Sequence, residues 1–310
     1  KTRKYLRKQI RPNMKLIDMC KLVEDKIKVL TNFDANNPLE KGMAFPVGLN
    51  VNNVAAHWSP NPMDMNVKLG RNDLIKIDFG VHYNGYIIDS AFSYSLNDKF
   101  DDLINISKEA TYTGCKLFGE DARINEISKA IQEVIESYSV NIDDNQRNIK
   151  SIRSLTGHQI KRYKIHAGKV IPNIDYPLNI DKIKEGELYA IETYPSTGSG
   201  LVSNDYKNVS HYKLKDEYYK NTSILQLNKD ERLLYSIICK NFGTLPFCRR
   251  WIKEHNLKRY QIPLFSMVKK GMIKEYPPLY EINNSYVAQT EHTLMIYKGN
   301  KHIFSKCDDY

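Results

Sequence analysis

The segment LIKIDFGVHYNGYIIDSAFSY, residues 74–94, restricts the fold of this chain more than any other segment. Apolar and polar residues alternate up to Asn84-Gly85 and again after it. Asn-Gly between two alternating runs is a strong signal for a β-hairpin, because both residues tolerate the positive φ angles that a two-residue turn requires. The pattern therefore predicts two antiparallel strands joined at Asn84-Gly85.

Two aspartates fall on this hairpin. With the turn at Asn84-Gly85, Gly80 faces Asp89, and Asp78 shares the face of Gly80 because side chains alternate along a strand. Asp78 and Asp89 are then diagonal neighbours, about 7–8 Å apart at Cα. Carboxylates placed in this way can converge on two metal ions ~3.5–4 Å apart, and we expect Gly80 to leave room for them. A pair of solvated hairpin aspartates is the alternative for this segment taken alone.

Three further potential metal ligands lie in segments predicted as strands or strand ends. They are His158 in SLTGHQI, Glu192 in LYAIETYPSTG and Glu291 in SYVAQTEHTLMIY. With the two aspartates they form a set of mostly oxygen ligands, which suits Mn²⁺, Fe²⁺ or Co²⁺ better than a thiolate-type zinc site does. Two such ions can activate a shared water and stabilise a tetrahedral intermediate. The set predicts a two-metal hydrolase that acts on an amide or a phosphoester.

Two more histidines lie close to this set in the sequence. His57 is in AAHWSPN, and His166 is in YKIHAGK, eight residues after His158. Neutral imidazoles at the rim of a site can hydrogen-bond a substrate carbonyl or a developing oxyanion. A structural role is the alternative for each of them. We interpret His82 and His292 as structural.

Composition excludes several classes of protein. None of the apolar runs approaches the ~20 residues that a membrane span needs. The five cysteines are odd in number, scattered and without a CxxC pair, which favours a reducing compartment over a disulfide framework or a structural zinc site. We therefore expect a cytoplasmic protein without membrane contacts. Because the chain begins at Lys1, we also expect further residues before it in the natural protein.

The chain is basic, with a net charge of +10, and its first eleven residues include six that are basic and none that is acidic. This N-terminal arm, residues 1–11, can contact RNA or an anionic surface. A solvated charged extension is the alternative.

Helical periodicity predicts a helix over residues 14–30, with Leu30 on its apolar face, and two more over 101–118 and 124–138. Residues 229–275 are again predicted to be helical. A linker of disordered composition is not present between these segments. The sequence thus predicts one domain, residues 1–310, with a helical insertion subdomain over residues 207–280.

These segments, in this order, closely resemble the type 2 methionine aminopeptidases from about Phe45 to the terminal Asp-Asp-Tyr. The motifs that carry the resemblance are AAHWSPN, KIDFG, GYIIDSAF, YKIHAGK, YAIETYPSTGSG, NFGTLPFCRRW, YPPL and AQTEHT. Glu192 and Glu291 are 99 positions apart, which points to type 2, because type 1 enzymes lack the intervening insertion. The resemblance implies an α+β pita-bread fold, in which a pseudo-symmetric antiparallel β-sheet is flanked by helices.

The resemblance also implies the role of each site residue. The ligands of two divalent ions (Mn, Co or Fe) would be Asp78, Asp89, His158, Glu192 and Glu291, with Asp89 and Glu291 bridging. Glu192 would also move a proton from the attacking water to the leaving amine. His57 corresponds to the histidine that fumagillin-class inhibitors alkylate, and His166 would hold the scissile amide. The methionine pocket would be lined by Phe45, Ile165, His211 and Tyr276.

The implied activity is removal of the initiator methionine from nascent polypeptides with a small second residue. The implied partners are nascent N-termini and the ribosome, and we expect a monomer. Three residues depart from the family pattern: Thr156, Pro195 and Pro246. None of them is a ligand, so we expect altered specificity or inhibitor binding and not loss of activity.

Two alternatives stay open. Proline-directed peptidases share the fold and the ligands, although the histidine spacing and the insertion argue against them. Non-catalytic relatives that bind RNA or ribosomal partners characteristically lose ligands, and here all five are present. An RNA contact through the insertion would use the basic residues around Trp251, which are Arg249, Arg250, Lys253, Lys258 and Arg259.

Overall fold

The computed structural model describes residues 1–221, 226–257 and 259–306. Lys258 and the terminal Asp-Asp-Tyr, both named in the sequence analysis, lie outside the described residues, as does one of the five cysteines, Cys307. Within the described part of the chain there are seven α-helices, which are α1 (Thr2–Arg7), α2 (Leu16–Thr31), α3 (Asp101–Leu117), α4 (Ile124–Glu136), α5 (Lys229–Asn241), α6 (Arg249–Glu254) and α7 (Gln261–Lys269).

In the N-terminal half of the described chain, five strands lie between α2 and α3, and four more follow α4. They are β1 (Lys41–Met43), β2 (Gly48–Val51), β3 (Val54–Ala56), β4 (Leu74–Tyr83), β5 (Tyr86–Ser95), β6 (Ser139–Ile142), β7 (Asn145–Asn148), β8 (Lys150–Ser151) and β9 (Thr156–Ile160).

The strands of the C-terminal half include those that alternate with the helices of the insertion. They are β10 (Val170–Pro172), β11 (Leu188–Thr193), β12 (Pro195–Ser196), β13 (Ser203–Asn204), β14 (His211–Leu214), β15 (Phe247–Cys248), β16 (Ile273–Tyr276), β17 (Leu279–Tyr280), β18 (Thr290–Tyr297) and β19 (Asn300–Ile303).

The hairpin predicted at Asn84-Gly85 is confirmed. Strands β4 and β5 pair in antiparallel register, and Gly80 lies opposite Asp89 as the alternation requires. Asn84 has φ 49° and Gly85 has φ 81°, both in the left-handed region that a two-residue hairpin turn demands. Strands β1 and β2 pair with the other edge of β4 and complete the first sheet. Asp78 and Asp89 therefore occupy one face of a regular ladder.

The second sheet has the strand order β10-β9-β11-β18-β19, and all of its pairs are antiparallel. It joins the first sheet through side chains and not through a continuous ladder. The Asp89 N–H donates to Thr293 Oγ1 at 2.7 Å, Thr293 Oγ1 lies 2.8 Å from the Asp89 carbonyl oxygen, and the Ser93 hydroxyl donates to the Gln289 carbonyl at 2.9 Å. This junction brings β5 beside β18 and so brings the two groups of acidic side chains together.

Helices cover the outer faces of both sheets. The predicted helices over 101–118 and 124–138 are confirmed as α3 and α4, which pack with the second sheet in one hydrophobic cluster. Helix α2 covers the first sheet. The prediction that Leu30 belongs to its apolar face was wrong, because the buried face ends at Ile27 and Leu30 is 43% exposed.

Residues 207–280, predicted above as an insertion, contain a hydrophobic cluster formed by side chains between Val209 and Ile273. Helices α5, α6 and α7 confirm much of the helical prediction for residues 229–275. It was wrong at β15 and at the start of β16, because these segments pair with the two edges of β14. Strands β15, β14 and β16 thus form a three-stranded sheet within residues 207–280.

The basic N-terminal segment packs against the body of the protein. Leu6 and Ile10 are buried with residues of α2, and the Arg3 guanidinium donates to Ser90 Oγ at 3.3 Å. Among the described residues, no helix combines the length and the apolar character needed to cross a membrane. The described cysteines, Cys20, Cys115, Cys239 and Cys248, are free thiols.

Candidate active site

All five proposed ligands line one cavity, and three of them, Asp89, His158 and Glu291, converge closely. Glu192 lies directly opposite Glu291 in the β11–β18 pair, and His158 lies opposite Ala190, two residues before Glu192. Asp89 reaches the same place from the first sheet. The ligand atoms of Asp89, His158 and Glu291 all lie within 4.8 Å of one another, a spacing that could hold a metal ion.

Measured from its Nε2 atom, His158 lies 3.7 Å from Asp89 Oδ2 and 3.6 Å from Glu192 Oε1. Asp89, Glu192 and Glu291 are buried, and Asp78 is half-buried. The sequence could not predict that these side chains meet in one place, because Asp89 and Glu291, for example, are separated by some two hundred residues.

Several of the carboxylate oxygens have no protein partner. Asp78 Oδ1, Asp89 Oδ1 and Glu291 Oε2 are buried atoms without a hydrogen bond from any described residue. Buried polar atoms in native proteins are nearly always satisfied, so unpartnered oxygens that point into one place call for a cation. Oxygen ligands with one imidazole suit hard or borderline divalent ions. The residues present therefore fit a divalent metal site.

The pKa shifts of the proposed ligands also indicate a site for cations. Burial raises the pKa of Asp78 to about 7, and burial together with the Asp78 charge raises the pKa of Glu192 to about 8. Burial and the neighbouring carboxylates also raise the pKa values of Asp89 and Glu291 well above their usual range. Burial lowers the pKa of His158 to about 4, which keeps the imidazole neutral and able to ligate. Without cations, this cluster favours bound protons.

Two residues that the sequence analysis missed hold Glu192 in place. The Tyr194 hydroxyl donates to Glu192 Oε2, and Gln289 Nε2 donates to the same oxygen at 3.2 Å and to Asp78 Oδ2 at 3.4 Å. Both are buried. Tyr194 lies two residues after Glu192 and Gln289 two residues before Glu291, so strand alternation was the signal that could have identified them.

The carboxylates form the base of a cavity of about 230 Å³. All eleven residues named from the sequence line it, which are Phe45, His57, Asp78, Asp89, His158, Ile165, His166, Glu192, His211, Tyr276 and Glu291. Tyr194 and Leu279 also line it and were not anticipated. Of the three departures from the family pattern, Thr156 and Pro246 line the cavity, whereas Pro195 pairs with Ser151 in a two-stranded sheet.

Three rings that line the cavity lie close to one another, and one of them, that of His166, also has its centroid 4.4 Å from that of His158. The Tyr276 ring centroid lies 5.7 Å from that of His57 and 6.0 Å from that of His166. Burial lowers the pKa of His57 to about 4, so its imidazole is neutral at physiological pH. His82 and His292 do not line the cavity: His82 Nδ1 lies 3.4 Å from the Gly85 N–H, and His292 Nδ1 lies 2.8 Å from Ser305 Oγ.

The backbone of His57 is held in an uncommon conformation. Its φ is 65°, in the left-handed region that non-glycine residues rarely adopt. The Ser210 hydroxyl accepts the Ser59 N–H at 3.0 Å and lies 3.1 Å from the His57 carbonyl oxygen. The Arg250 guanidinium donates to the Pro60 carbonyl at 3.0 Å. The insertion therefore fixes the loop that carries His57.

The prediction that Gly80 makes room for metal ions was wrong. A Cβ on Gly80 would lie 2.2 Å from Phe45 Cε1 and 2.8 Å from Phe45 Cδ1. The space is taken by the Phe45 ring, which packs over the glycine and forms a wall of the cavity. The absence of a side chain at Gly80 thus makes room for the Phe45 ring.

Comparison with known proteins fits this architecture. Residues 1–219 match the sequence pattern of metallopeptidase family M24. A methionine aminopeptidase from Thermotoga maritima superposes with a TM-score of 0.64 at 18% identity, covering 99% of this chain and 91% of its own. A thermophilic Arx1 superposes with a TM-score of 0.78 at 19% identity, covering 97% and 86%. Structural similarity at identities this low establishes only the fold, which is the pita-bread fold. Together with the family match, it places this chain among the pita-bread metallopeptidases.

Sequence relatives narrow the class further. Methionine aminopeptidase 2A of Arabidopsis thaliana is 44% identical over 308 residues, covering 99% of this chain and 68% of that protein. Methionine aminopeptidase 2-2 of Neosartorya fischeri is 42% identical over 312 residues, covering 99% and 66%. This chain belongs to the methionine aminopeptidase 2 family, within metallopeptidase family M24. It spans about two thirds of the length of these two relatives.

Proposed function

We propose that this protein removes the N-terminal methionine from polypeptides whose second residue is small. The observation that carries the proposal is the cluster of carboxylates, with unpartnered oxygens, at the base of a cavity that has an aromatic and aliphatic wall. Such a base can hold divalent ions beside a scissile amide, and such a wall can hold a thioether side chain. The family membership of the chain supports the same activity.

We propose that two divalent ions, Mn²⁺, Co²⁺ or Fe²⁺, are held by Asp78, Asp89, His158, Glu192 and Glu291. When bound, these ions would activate water and polarise the scissile carbonyl. Asp89 would supply its carboxylate from the first sheet and Glu291 from the second.

Glu192 is proposed to move the proton that the reaction transfers. Tyr194 and Gln289 hold its Oε2 atom, and Oε1 faces His158 at 3.6 Å. One oxygen is therefore fixed by hydrogen bonds, while the other faces the proposed ligand His158. Glu192 would accept a proton from the attacking water and deliver it to the leaving amine, which is general base and then general acid catalysis.

His57 and His166, whose rings both lie beside that of Tyr276, are proposed to hold the substrate. A neutral imidazole can donate one hydrogen bond to the scissile carbonyl or to the tetrahedral oxyanion. The methionine side chain would contact Phe45, Ile165 and Tyr276, with His211 closing the same wall. Thioether–aromatic contacts contribute about 0.3–1.5 kcal/mol each, which suits a methionine pocket.

We further propose that residues 1–310 act as one catalytic unit in which residues 207–280 form a subdomain. This subdomain contributes His211, Pro246 and Tyr276 to the cavity wall. The proposed partners are nascent N-termini in the cytoplasm, the ribosome and fumagillin-class inhibitors, with the protein acting as a monomer.

An RNA-binding role for the insertion finds less support in the geometry. Arg250 donates to both Glu24 oxygens at 2.8 and 3.1 Å, and Arg249 donates to the Tyr212 hydroxyl at 2.6 and 2.9 Å. Both guanidinium groups are therefore committed to contacts within the protein. Lys258, which was part of the same prediction, lies outside the described residues.

The test is methionine release from a Met-Ala-Ser peptide by protein stripped with chelator and reloaded with Mn²⁺, Co²⁺ or Fe²⁺. A Met-Pro-Ser peptide ranks the second residue, and an Ala-Ala-Ser peptide controls for general aminopeptidase activity. We expect metal-dependent cleavage of the methionine peptides alone, with two metal equivalents by mass spectrometry. Cleavage restricted to the Met-Pro peptide would favour a proline-directed peptidase, and no cleavage by metal-loaded protein would contradict the proposal.

A further inference from the structure

A pair of lysines continues the cavity wall outwards on the ladder between β14 and β16. In this ladder His211 lies opposite Tyr276, and the next pair on the same face is Lys213 opposite Lys274. His211 and Tyr276 line the cavity, so the lysines stand one strand step further along the wall that these residues begin. Two residues along a strand correspond to about 7 Å.

The Lys274 ammonium is oriented towards the cavity. Its Nζ atom lies 4.7 Å from the centroid of the Tyr276 ring, and the same ring lies 5.7 Å from that of His57. Burial lowers the pKa of His57, and the charge of Lys274 adds to that lowering, as expected for a cation close to the cavity. Lys274 is also exposed, so a ligand entering the cavity can reach it.

Around this lysine pair, basic side chains outnumber acidic ones. Lys213 Nζ lies 2.8 Å from Asp216 Oδ1, and Lys164, which precedes the cavity residue Ile165, has its Nζ 3.0 Å from Asp216 Oδ2. One aspartate therefore serves two lysines. Among the described residues Lys274 forms no ion pair with an acid, and Glu275 lies on the other face of the ladder, opposite Tyr212.

Like charges directly opposite each other weaken a β-ladder. Lys213 and Lys274 are such a pair, and Lys213 is only 9% exposed. An acidic group supplied from outside would relieve this repulsion, and the position of the pair beside the cavity wall indicates where that group would come from.

We propose that Lys274, together with Lys213, forms a subsite for an acidic side chain of the polypeptide substrate. This inference rests on the proposed aminopeptidase function. An extended peptide advances about 3.3–3.6 Å per residue, so a step of two residues beyond the methionine pocket wall corresponds to the third or fourth residue of the substrate. The protein would then process polypeptides with aspartate or glutamate at these positions faster than those with lysine.

The experiment compares three peptides that differ in one property, the charge of residues 3 and 4: Met-Ala followed by Glu-Glu, by Gln-Gln or by Lys-Lys. We expect kcat/KM of the metal-loaded enzyme to follow the order Glu, Gln, Lys, with a two- to five-fold step at each exchange, the factor of an exposed ion pair. The difference should lie mainly in KM and should shrink between 50 and 500 mM NaCl because exposed charges are screened.

Two variants test whether Lys274 causes the charge preference. Lys274→Glu should reverse the order of the Glu and Lys peptides. Lys269→Glu is the matched control, because Lys269 is also exposed and also lies within residues 207–280, but its Nζ lies 5.3 Å from the ring of Phe265, which does not line the cavity. It should leave the ratio of the two peptides unchanged. A preference that Lys269→Glu alters as much as Lys274→Glu would reflect net charge and overturn the proposal.

Equal kcat/KM for the three peptides would also overturn it. Calorimetry can measure the binding of the same peptides to the metal-loaded Glu192→Gln variant. It ranks the three peptides by affinity without turnover. If no peptide is cleaved but the Glu peptide binds two- to five-fold more tightly than the Gln peptide, the subsite stands and the proposed function fails. If peptides are cleaved with no charge preference, the proposed function stands and the subsite fails.

Discussion

Glu192 and Glu291 lie directly opposite each other in one antiparallel ladder, and they are 8% and 1% exposed, respectively. Opposed like charges destabilise a sheet, and burial removes the water that would screen them. The arrangement is stable only when protons or cations neutralise the carboxylates. This relationship predicts that metal binding stabilises the fold.

Removal of metal should make the stability contribution of Asp78 depend on pH. Burial raises the folded-state pKa of Asp78 from 3.8 to about 7, so the folded state binds the proton more tightly than the unfolded state. This stabilisation is fully present below the unfolded pKa and is lost as the pH rises through the folded value. We therefore expect metal-free Asp78→Asn to unfold at a higher temperature than the metal-free parent at pH 8, with a smaller gap at pH 5.

Mn²⁺ should reverse this order, because the variant has lost a ligand while the parent gains binding energy in the folded state. Asp102→Asn, at an exposed position on α3, is the matched control and should follow the parent. An Asp78→Asn protein that is as stable as the parent at both pH values would contradict the role of buried charge.

Replacement of Glu192 by glutamine should abolish most turnover while leaving the fold intact. Glutamine has nearly the same shape, but it cannot accept the proton and is a poorer ligand, so we expect kcat to fall by two orders of magnitude or more. The measurement is methionine release at matched metal content. Glu126→Gln, at an exposed position on α4, should retain parental activity. Near-normal turnover of the Glu192→Gln protein would refute the assignment.

Gly80→Ala should damage the substrate wall without removing a ligand. The new methyl group would overlap the Phe45 ring, whose nearest atom lies 2.2 Å from the position that a Cβ would occupy, so the ring must move. We expect a several-fold rise in KM for methionine peptides at normal metal content. Gly119→Ala is the control, since its nearest neighbour is the Leu117 carbonyl oxygen at 3.9 Å. Equal KM values for the two variants would contradict the contact.

The ion pair between Glu24 and Arg250 should stabilise both the fold and the loop of His57. The two side chains are 6% and 9% exposed, and Trp251 Nε1 also donates to Glu24 at 3.0 Å. Removing one partner of a buried pair costs about 3–5 kcal/mol. We expect Glu24→Gln to lower the free energy of unfolding in denaturant by roughly that amount, whereas Glu254→Gln, at an exposed position on α6, should change it little.

His57 should be the residue that fumagillin alkylates. Burial lowers its pKa to about 4, so the neutral, nucleophilic imidazole predominates at pH 7. Intact-mass spectrometry should show one adduct on the parent protein and on the control His255→Asn, and none on His57→Asn. An adduct that persists on His57→Asn would place the reaction elsewhere.

Local patterns in the sequence determined the hairpin and its register. Asn84-Gly85 and the alternating residues around it specify a turn and a side-chain period within one continuous segment, and the structure confirms both. The same period placed each proposed ligand in a strand. It could also have identified Tyr194 and Gln289, since each lies two residues from a glutamate of the site.

Only the tertiary structure decided how these strands meet. Thr293 holds Asp89 across 204 positions of sequence, the Phe45 ring fills the space above Gly80, and Arg250 reaches Glu24 from the insertion. The physical reason is that alternation and turn geometry depend on neighbouring residues. The pairing of distant strands depends on which faces bury one another, and that is settled only when the whole chain packs.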